Sequence, residues 1–525
     1  MTNREEWDKR YQWLSGRPDD FEGWQNLIEV VERLDGGLNK TSGDEDVSLF
    51  RFTYDKFLER FPLMHGFWIR YAGLEFRLGF TERAQEVYER AVGVVCRGSV
   101  ELWTRYCTFK VLVTVGDQKP VRQLFERAAQ SIGRHYLSHV FWDKYLEFEE
   151  REGDILKVYK LLNRIVNIPL HQYARFFERL QRLRPAIALE NLVSGNRLQQ
   201  FRAEYQLDRE EQPQQLKKTE IQLKIEEEKD IRERVAAHHI QTYQKTQTEV
   251  MKRWRYESTI RRPFFHVAWL DEEEMQNWRN YIDFELVEGN RERICTVYER
   301  AIVASGLNEE FWLSYVRYLI TNERFADAYT VFVRGCSVLP IGRIEFRHQF
   351  ARFCEARGRI ELALSVYRNI LKDLPSSVET IISFSGVYCR VNSSLEGGLV
   401  VLEHGLNSGD VSLTDKPILL IHYVKTLAKL NRLQEANELL QEYAKIFADS
   451  YYFWREYLRF TMAHADYTTV QQVFEQVKGT QLTEHQKKDI AHIYMDYVLS
   501  QGPDRAVQEY FSVDHLVHKH ISVAF

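Results

Sequence analysis

The sequence predicts an all-α protein, an α-α superhelical solenoid of stacked helix hairpins in two arrays, and three observations carry that prediction. The first is the stretch from Trp278 to Ala301. There Trp278, Tyr281, Ile282 and Glu285 fall at i, i+3, i+4 and i+7, and Ile294, Val297, Tyr298 and Ala301 repeat the spacing after a Glu288-Gly289-Asn290 turn. Each half presents one face of a helix, and Gly and Asn tolerate the left-handed conformation that ends a helix. The second is recurrence. Trp68 and Tyr71 are followed by Tyr88 and Ala91, Trp103 and Tyr106 by Phe125 and Ala128, Trp142 and Tyr145 by Tyr159, Trp312 and Tyr315 by Phe332, and Trp454 and Tyr457 by Phe474. The third is the period. From the Trp to the second-helix aromatic is 20 residues in the units beginning at Trp68, Trp278, Trp312 and Trp454, 22 from Trp103 and 17 from Trp142; neighbouring Trp residues lie 35, 39 and 34 apart. One hairpin alone cannot bury its aromatic face, so helix pairs at this period must stack.

Taken in order, residues 1–61 read as an irregular first repeat, with Trp24, Leu27 and Ile28 in one helix and Phe50, Tyr54, Phe57, Leu58 and Phe61 in a second that Pro62 stops. Residues 63–169 hold three clear repeats, and 1–169 form the N-terminal array. Over 170–265 the signature vanishes. Tyr173 to Leu183 reads as a helix ended by Pro185, and Leu216 to Trp254 as one long charged helix with Ile221, Ile225, Ile231 and Val235 as a thin apolar stripe. A polar helix with so narrow a stripe bridges two bodies or lies against one of them, so this is a helical connector. The C-terminal array runs over 266–525. It opens with the Trp278 and Trp312 repeats and continues through Phe346–Phe350 with Tyr367, with Arg347 at the Trp position. Ile381–Tyr388 with Leu399–Leu406, and Leu419–Leu427 with Ala436–Tyr443, read as degenerate copies, before the Trp454 repeat and a final Tyr494–Tyr497 unit.

Composition narrows the function classes. The 71 basic and 76 acidic residues give a formal charge of −5, whereas a surface made largely for nucleic acid is usually clearly basic, so protein partners are expected. The six cysteines, Cys96, Cys107, Cys295, Cys336, Cys354 and Cys389, include no CxxC pair and read as free thiols of a reducing compartment. There is no apolar run near 18 residues and no apolar segment in MTNREEWDKR, so neither a membrane span nor secretion is expected.

Catalytic chemistry finds little support. Glu75, Glu149 and Glu285 each follow a repeat Trp by seven residues, but they belong to different repeats. They read as structural carboxylates paired with a second-helix arginine such as Arg83 or Arg293. His135 and His139 share a helix face at i, i+4 without the glutamate of a HExxH metal site. GxxxxGK[ST], GxGxxG and GxSxG are absent, so no enzyme, cofactor or metal is expected. The basic segment from Met251 to Arg262 interleaves Trp254 and Tyr256 with Lys252, Arg253, Arg255, Arg261 and Arg262. It reads first as the connector's last turns docking on the second array. The second reading is a contact to RNA or a ribonucleoprotein, because arginine and aromatic groups together meet phosphates and stack on bases. The helix Arg175–Arg184 carries the same pair of readings less distinctly.

The unit Trp-x-x-Tyr…(Val/Ile)-(Tyr/Phe)-Glu-Arg-Ala resembles the HAT repeat, a TPR-like hairpin of RNA-processing scaffolds. The segments Pro18-Asp-Asp-Phe21-Glu-Gly-Trp24, Ile168-Pro-Leu-His171 and, above all, Ile260-Arg-Arg-Pro263-Phe-Phe-His-Val267 before the Trp278 repeat resemble the pre-mRNA-processing factor 39 family. That resemblance implies a nuclear, non-catalytic component of the U1 small nuclear ribonucleoprotein (U1 snRNP) or an accessory to it, supporting 5′ splice site recognition in mRNA splicing. It implies dimerisation through C-terminal repeats, about 380–525, with itself or a sister HAT protein. It also implies contacts to U1 proteins, including the zinc-finger C subunit, with RNA contact limited or indirect. The alternatives are a HAT scaffold of another RNA-processing complex, in 3′-end cleavage or ribosome assembly, and a direct RNA-binding protein.

Overall fold

The computed structural model describes residues 3–210, 219–391, 395–503 and 505–518, and among these every regular element is helical. The chain packs as two compact units, Met1–Pro340 and Ile341–Phe525. Among the described residues no helix is long and apolar enough to cross a membrane.

The first unit opens with a helix absent from the sequence reading, α1 (Asn3–Ser15), which buries Trp7 and Leu14 and donates the Trp7 indole N–H to Thr53 Oγ1 at 2.9 Å. Four antiparallel pairs follow: α2 (Phe21–Glu32) with α3 (Asp44–Arg60), α4 (His65–Arg77) with α5 (Thr81–Arg90), α6 (Val100–Val113) with α7 (Lys119–Ile132), and α8 (His139–Arg151) with α9 (Ile155–Ile165). Side-chain caps start several of them. Asp20 accepts from Gly23 N–H, Ser99 from Leu102 N–H, and Asp154 from Leu156 and Lys157 N–H.

Next comes α10 (Tyr173–Leu183), with the bounds the sequence predicts, and then α11 (Gly195–Glu210), which it does not reveal. The long helix α12 (Glu220–Glu257) has 38 residues, about 57 Å at 1.5 Å per residue. A Thr219–Gln222 capping box starts it; Leu216 to Lys218, predicted to begin this helix, lie outside the described residues. Only half of its predicted stripe is used. Ile231 and Val235 are buried, while Ile221 and Ile225 are exposed. The unit closes with α13 (Glu272–Glu288), α14 (Arg291–Ala304), α15 (Glu309–Thr321) and α16 (Phe325–Val338). Gly289 at φ +74° ends α13 as the sequence predicts, and Asn290 accepts from Arg293 N–H to start α14.

Helices α13–α16 pack in the same unit as the N-terminal array. Thr246 Oγ1 on α12 donates to the Val166 carbonyl at 2.7 Å, and Arg134 forms an ion pair with Glu292. Gly306 is required where these parts meet, because a Cβ there would come within 2.7 Å of both Leu63 and Phe265. The packing therefore divides two hairpins beyond the point near 266 where the Trp-Tyr signature resumes.

The second unit contains α17 (Ile344–Ala356), α18 (Ile360–Asp373), α19 (Val378–Val391), α20 (Leu395–Asn407), α21 (Lys416–Lys429), α22 (Leu433–Ala444), α23 (Tyr451–His464), α24 (Tyr467–Lys478), α25 (Glu484–Gln501) and α26 (Ala506–His518). The degenerate stretches are regular hairpins. Leu399, Leu402, Leu419, Leu420, Leu427 and Leu440 fill a core continuous with Trp454, Tyr457, Phe474 and Tyr494. Helices α19 and α20 approach closely: a Cβ on Gly398 would lie 2.5 Å from Cys389 Sγ and 3.1 Å from the Ser385 carbonyl oxygen.

Candidate interaction surfaces

The signature residues form a ladder between repeats. Four second-helix aromatics stack on a tyrosine in the first helix of the next hairpin. Centroids are 5.0 Å apart for Tyr88–Tyr106, 4.6 Å for Phe125–Tyr145, 4.9 Å for Tyr298–Tyr315 and 4.0 Å for Phe474–Tyr494, all within 12° of parallel. The acidic residue after that aromatic clasps the following repeat. Glu89 accepts from Tyr106 Oη at 2.5 Å and from Arg127 at 2.6 Å, and Glu126 accepts from Tyr145 Oη and from Arg164, both at 2.8 Å. The arginine itself lies over its own repeat's indole, 5.1 Å for Arg127 on Trp103, 5.3 Å for Arg164 on Trp142 and 5.8 Å for Arg334 on Trp312. Trp68, Trp103 and Trp312 donate their indole N–H to the carbonyl six residues upstream, at Pro62, Arg97 and Gly306. Trp142 reaches Gly133 in the same way. Ala91, Ala128 and Ala301 are fully buried.

The carboxylates seven residues after a Trp are paired with arginine, but not with Arg83 or Arg293 of their own hairpins. Each meets the residue three positions before the aromatic of the preceding second helix. Arg51 reaches Glu75 at 2.7 and 2.8 Å, Arg122 reaches Glu149 at 2.6 and 3.0 Å, and Arg253 reaches Glu285 at 2.7 and 3.0 Å. In the Trp103 repeat the chemistry is neutral on one side, with Lys110 Nζ donating to Gln85 at 2.8 Å.

This ladder explains the basic segment. Tyr256 stacks on Tyr281 at 5.0 Å, and Glu257 accepts from Tyr281 Oη at 2.8 Å and from Arg300 at 2.5 and 2.8 Å. Arg253-x-x-Tyr256-Glu257 therefore repeats Arg122-x-x-Phe125-Glu126, and the end of α12 is the second helix of a repeat without a Trp. Phe177 of α10 stacks against Tyr243 of α12 at 4.5 Å. Arg253, expected as a possible contact to RNA or ribonucleoprotein, has a side chain only 4% exposed and is held inside the fold by Glu285 and Glu249. The others differ. Lys252 pairs with Glu249 and Glu288, Arg255 lies 4.5 Å over the Tyr256 ring, and Arg262 donates to the Ala268 carbonyl at 2.9 Å. Arg261 is exposed beside Glu273, and Trp254 is half-exposed. On the other basic helix Arg175 and Arg179 pair with Asp143 and Glu150.

A cleft of about 760 Å³ lies where α9, α11, α12 and α14 converge, lined by Asn163, Arg197, His239, Lys245, Glu249 and Arg293 among others. His239 is buried with both ring nitrogens lacking a hydrogen-bond partner, and burial, reinforced by Arg184, pulls its pKa down to about 4. Burial and then the charge of Arg253 lower the Arg293 guanidinium from its ordinary value. Most of the side chains that line it are polar or charged. His135 accepts from Leu137 N–H at 3.0 Å, while His139 packs against His171. Burial pushes the Cys96 thiol up to about 12 and the Cys354 thiol to about 11.

Residues 8–182 match the family described as PRP39 N-terminal HAT repeat, and residues 251–390 match PRP39 C-terminal HAT repeat. The second match begins on the last turns of α12. Over 544 aligned residues the chain is 36% identical to Pre-mRNA-processing factor 39 of Schizosaccharomyces pombe, covering all of this chain and 88% of that protein. It is 29% identical over 388 residues to the Homo sapiens protein of the same name, covering 71% of this chain and 56% of that one. The U1 small nuclear ribonucleoprotein component PRP42 of Saccharomyces cerevisiae is 24% identical over 320 residues, 59% of this chain and 56% of that protein. Among solved structures, the crystal structure of CstF-77 aligns with a TM-score of 0.50 at 12% identity, covering 88% of this chain and 90% of that one; this likeness concerns the fold alone.

Proposed function

Because the chain belongs to the pre-mRNA-processing factor 39 family of HAT-repeat proteins, we propose that it is a non-catalytic scaffold of nuclear pre-mRNA splicing. In this reading it associates with U1 snRNP and supports recognition of 5′ splice sites. The observation that carries it is the 36% identity to Pre-mRNA-processing factor 39 across the whole chain. Similarity to a protein named as a U1 component adds to it. Repeats 380–525 pair the chain with a second copy or a sister HAT protein, and U1 proteins, including the zinc-finger C subunit, are the principal contacts. A stacked array offers long surfaces, and pairing doubles them, so several weak contacts combine into useful avidity. The inward commitment of Arg253 and the local pairing of Lys252 favour protein contacts over an extensive RNA interface.

The test is a pull-down of tagged full-length protein from nuclear extract at moderate salt, with co-purified small RNAs sequenced and the mass of the purified protein measured by light scattering. Enrichment of U1 RNA over other spliceosomal RNAs and a two-chain mass are expected. Enrichment of another RNA class moves the scaffold to a different machine, and a monomer at micromolar concentration removes self-pairing. Tight binding of naked RNA that falls steeply with salt favours the direct RNA-binding reading instead.

A further inference from the structure

In the second unit the first turn of α19 comes against α17 and brings Glu345, His348 and Glu379 together. We propose that these three side chains bind a divalent transition-series cation, with zinc the first to try. Glu345 and His348 sit at i, i+3 on α17 and therefore share one face, one turn apart. Glu379 arrives from the next hairpin. One donor atom from each lies within 4.8 Å of the other two, and His348 Nδ1 is 3.6 Å from Glu379 Oε1, longer than a hydrogen bond. Ligands held about 2.0–2.2 Å from zinc stand roughly 3.4 Å apart in a tetrahedron. The two carboxylates need to close by only about an ångström, and with side chains 41% and 60% exposed they can turn to do so.

The imidazole is the stronger part of the argument. His348 is fully buried, and its Nε2 lies 3.0 Å from Thr380 Oγ1, which is in turn 2.8 Å from Ser377 Oγ. With Nε2–H donating to Thr380, the Nδ1 lone pair is left on the side of the two carboxylates, and Nδ1 has no hydrogen-bond partner. A ring whose far nitrogen is held by a second group while the near one presents a bare lone pair is the usual posture of a metal-ligating histidine. A lone pair facing carboxylate oxygens is unfavourable unless a positive charge lies between them. Glu345 also accepts from Gln349 Nε2 at 2.7 Å and lies 3.4 Å from Arg352, contacts on its exposed side that a cation shares or displaces. One nitrogen and two oxygens suit zinc better than calcium or magnesium, which favour all-oxygen sites. With three protein ligands, a fourth position remains for water or a partner's side chain. The ion would tie one hairpin to the next by a bond that helix packing does not supply.

The experiment uses the full chain freed of metal by chelation and dialysis, titrated with Co2+ as a spectroscopic probe and with Zn2+ by calorimetry. Expected is one ion per chain, a Co2+ spectrum of nitrogen and oxygen ligation, and a raised Tm with zinc. Glu345→Gln and Glu379→Gln change exposed carboxylates and keep the fold, which circular dichroism checks; each weakens binding about tenfold or more, the scale on which a metal site responds to its supporting groups. No stoichiometric uptake by the unaltered protein overturns the proposal. So does a thiolate charge-transfer band, which would point to cysteine ligation instead, or uptake that both variants leave unchanged.

Discussion

Glu285 and Arg253 are almost wholly enclosed, and each supplies the other's charge through two hydrogen bonds. Removing one partner of such a pair leaves a buried charge uncompensated, at about 3–5 kcal/mol, whereas replacing both with apolar groups of similar volume is often close to neutral. Glu285→Ala is therefore expected to lower the denaturation midpoint sharply, and Glu285→Leu with Arg253→Met to recover most of it. Equal losses in the single and double variants would show that the pair is not coupled. The carboxylate seven residues after the Trp was legible in the sequence, and so was its pairing with an arginine. The identity of that arginine was not, because spacing within one hairpin says nothing about which side chain the neighbouring hairpin brings alongside. The matching of Gln85 with Lys110 in place of Arg with Glu shows that the ladder position, rather than one charge, is what the fold requires.

The repeat Trp residues look equivalent as sequence and are not equivalent in their helices. Trp68, Trp103, Trp142 and Trp312 are each the fourth residue of their helix and donate the indole N–H to the connection before it. The indole nitrogens of Trp278, the seventh residue of α13, and of Trp454, the fourth residue of α23, have no hydrogen-bond partner. Phe in place of Trp278 or Trp312 loses similar ring area, but only in place of Trp312 does a buried carbonyl lose its donor, worth about 1 kcal/mol. Trp312→Phe is expected to destabilise more than Trp278→Phe in parallel denaturation curves, and the reverse order would count against this account. The same reasoning covers the elements that the sequence concealed. Helix α12 carries Arg253-x-x-Tyr256-Glu257 but no Trp, so a search anchored on Trp passes over it; α1 and α11 expose most of their residues and bury only a few.

Within the first unit two neutral histidines lie deep in the packing. Burial, then Arg300 and His139, push His135 well down, and burial, then Arg184 and His238, hold His239 near 4. An unfolded histidine titrates near 6.5. The unfolded chain therefore takes up protons first as pH falls, and stability present above pH 6.5 is lost progressively toward pH 4, on the order of 3 kcal/mol for His239 alone. The denaturation midpoint of the protein is expected to drop between pH 7 and pH 5, before carboxylates titrate, and His239→Gln is expected to flatten part of that slope; identical midpoints at both pH values would refute the assignment. Helix pairs, their period, the Gly289 turn and the bounds of α10 were all present in the amino-acid order, since helical periodicity and turn chemistry act over a few residues. The placing of α12 as a repeat helix, the pairing of Arg253 with Glu285, the inclusion of α13–α16 in the first unit and the meeting of Glu345 and His348 with Glu379 were not. Those depend on side chains tens of residues apart arriving at one point, which the packing of whole hairpins settles and no local pattern encodes.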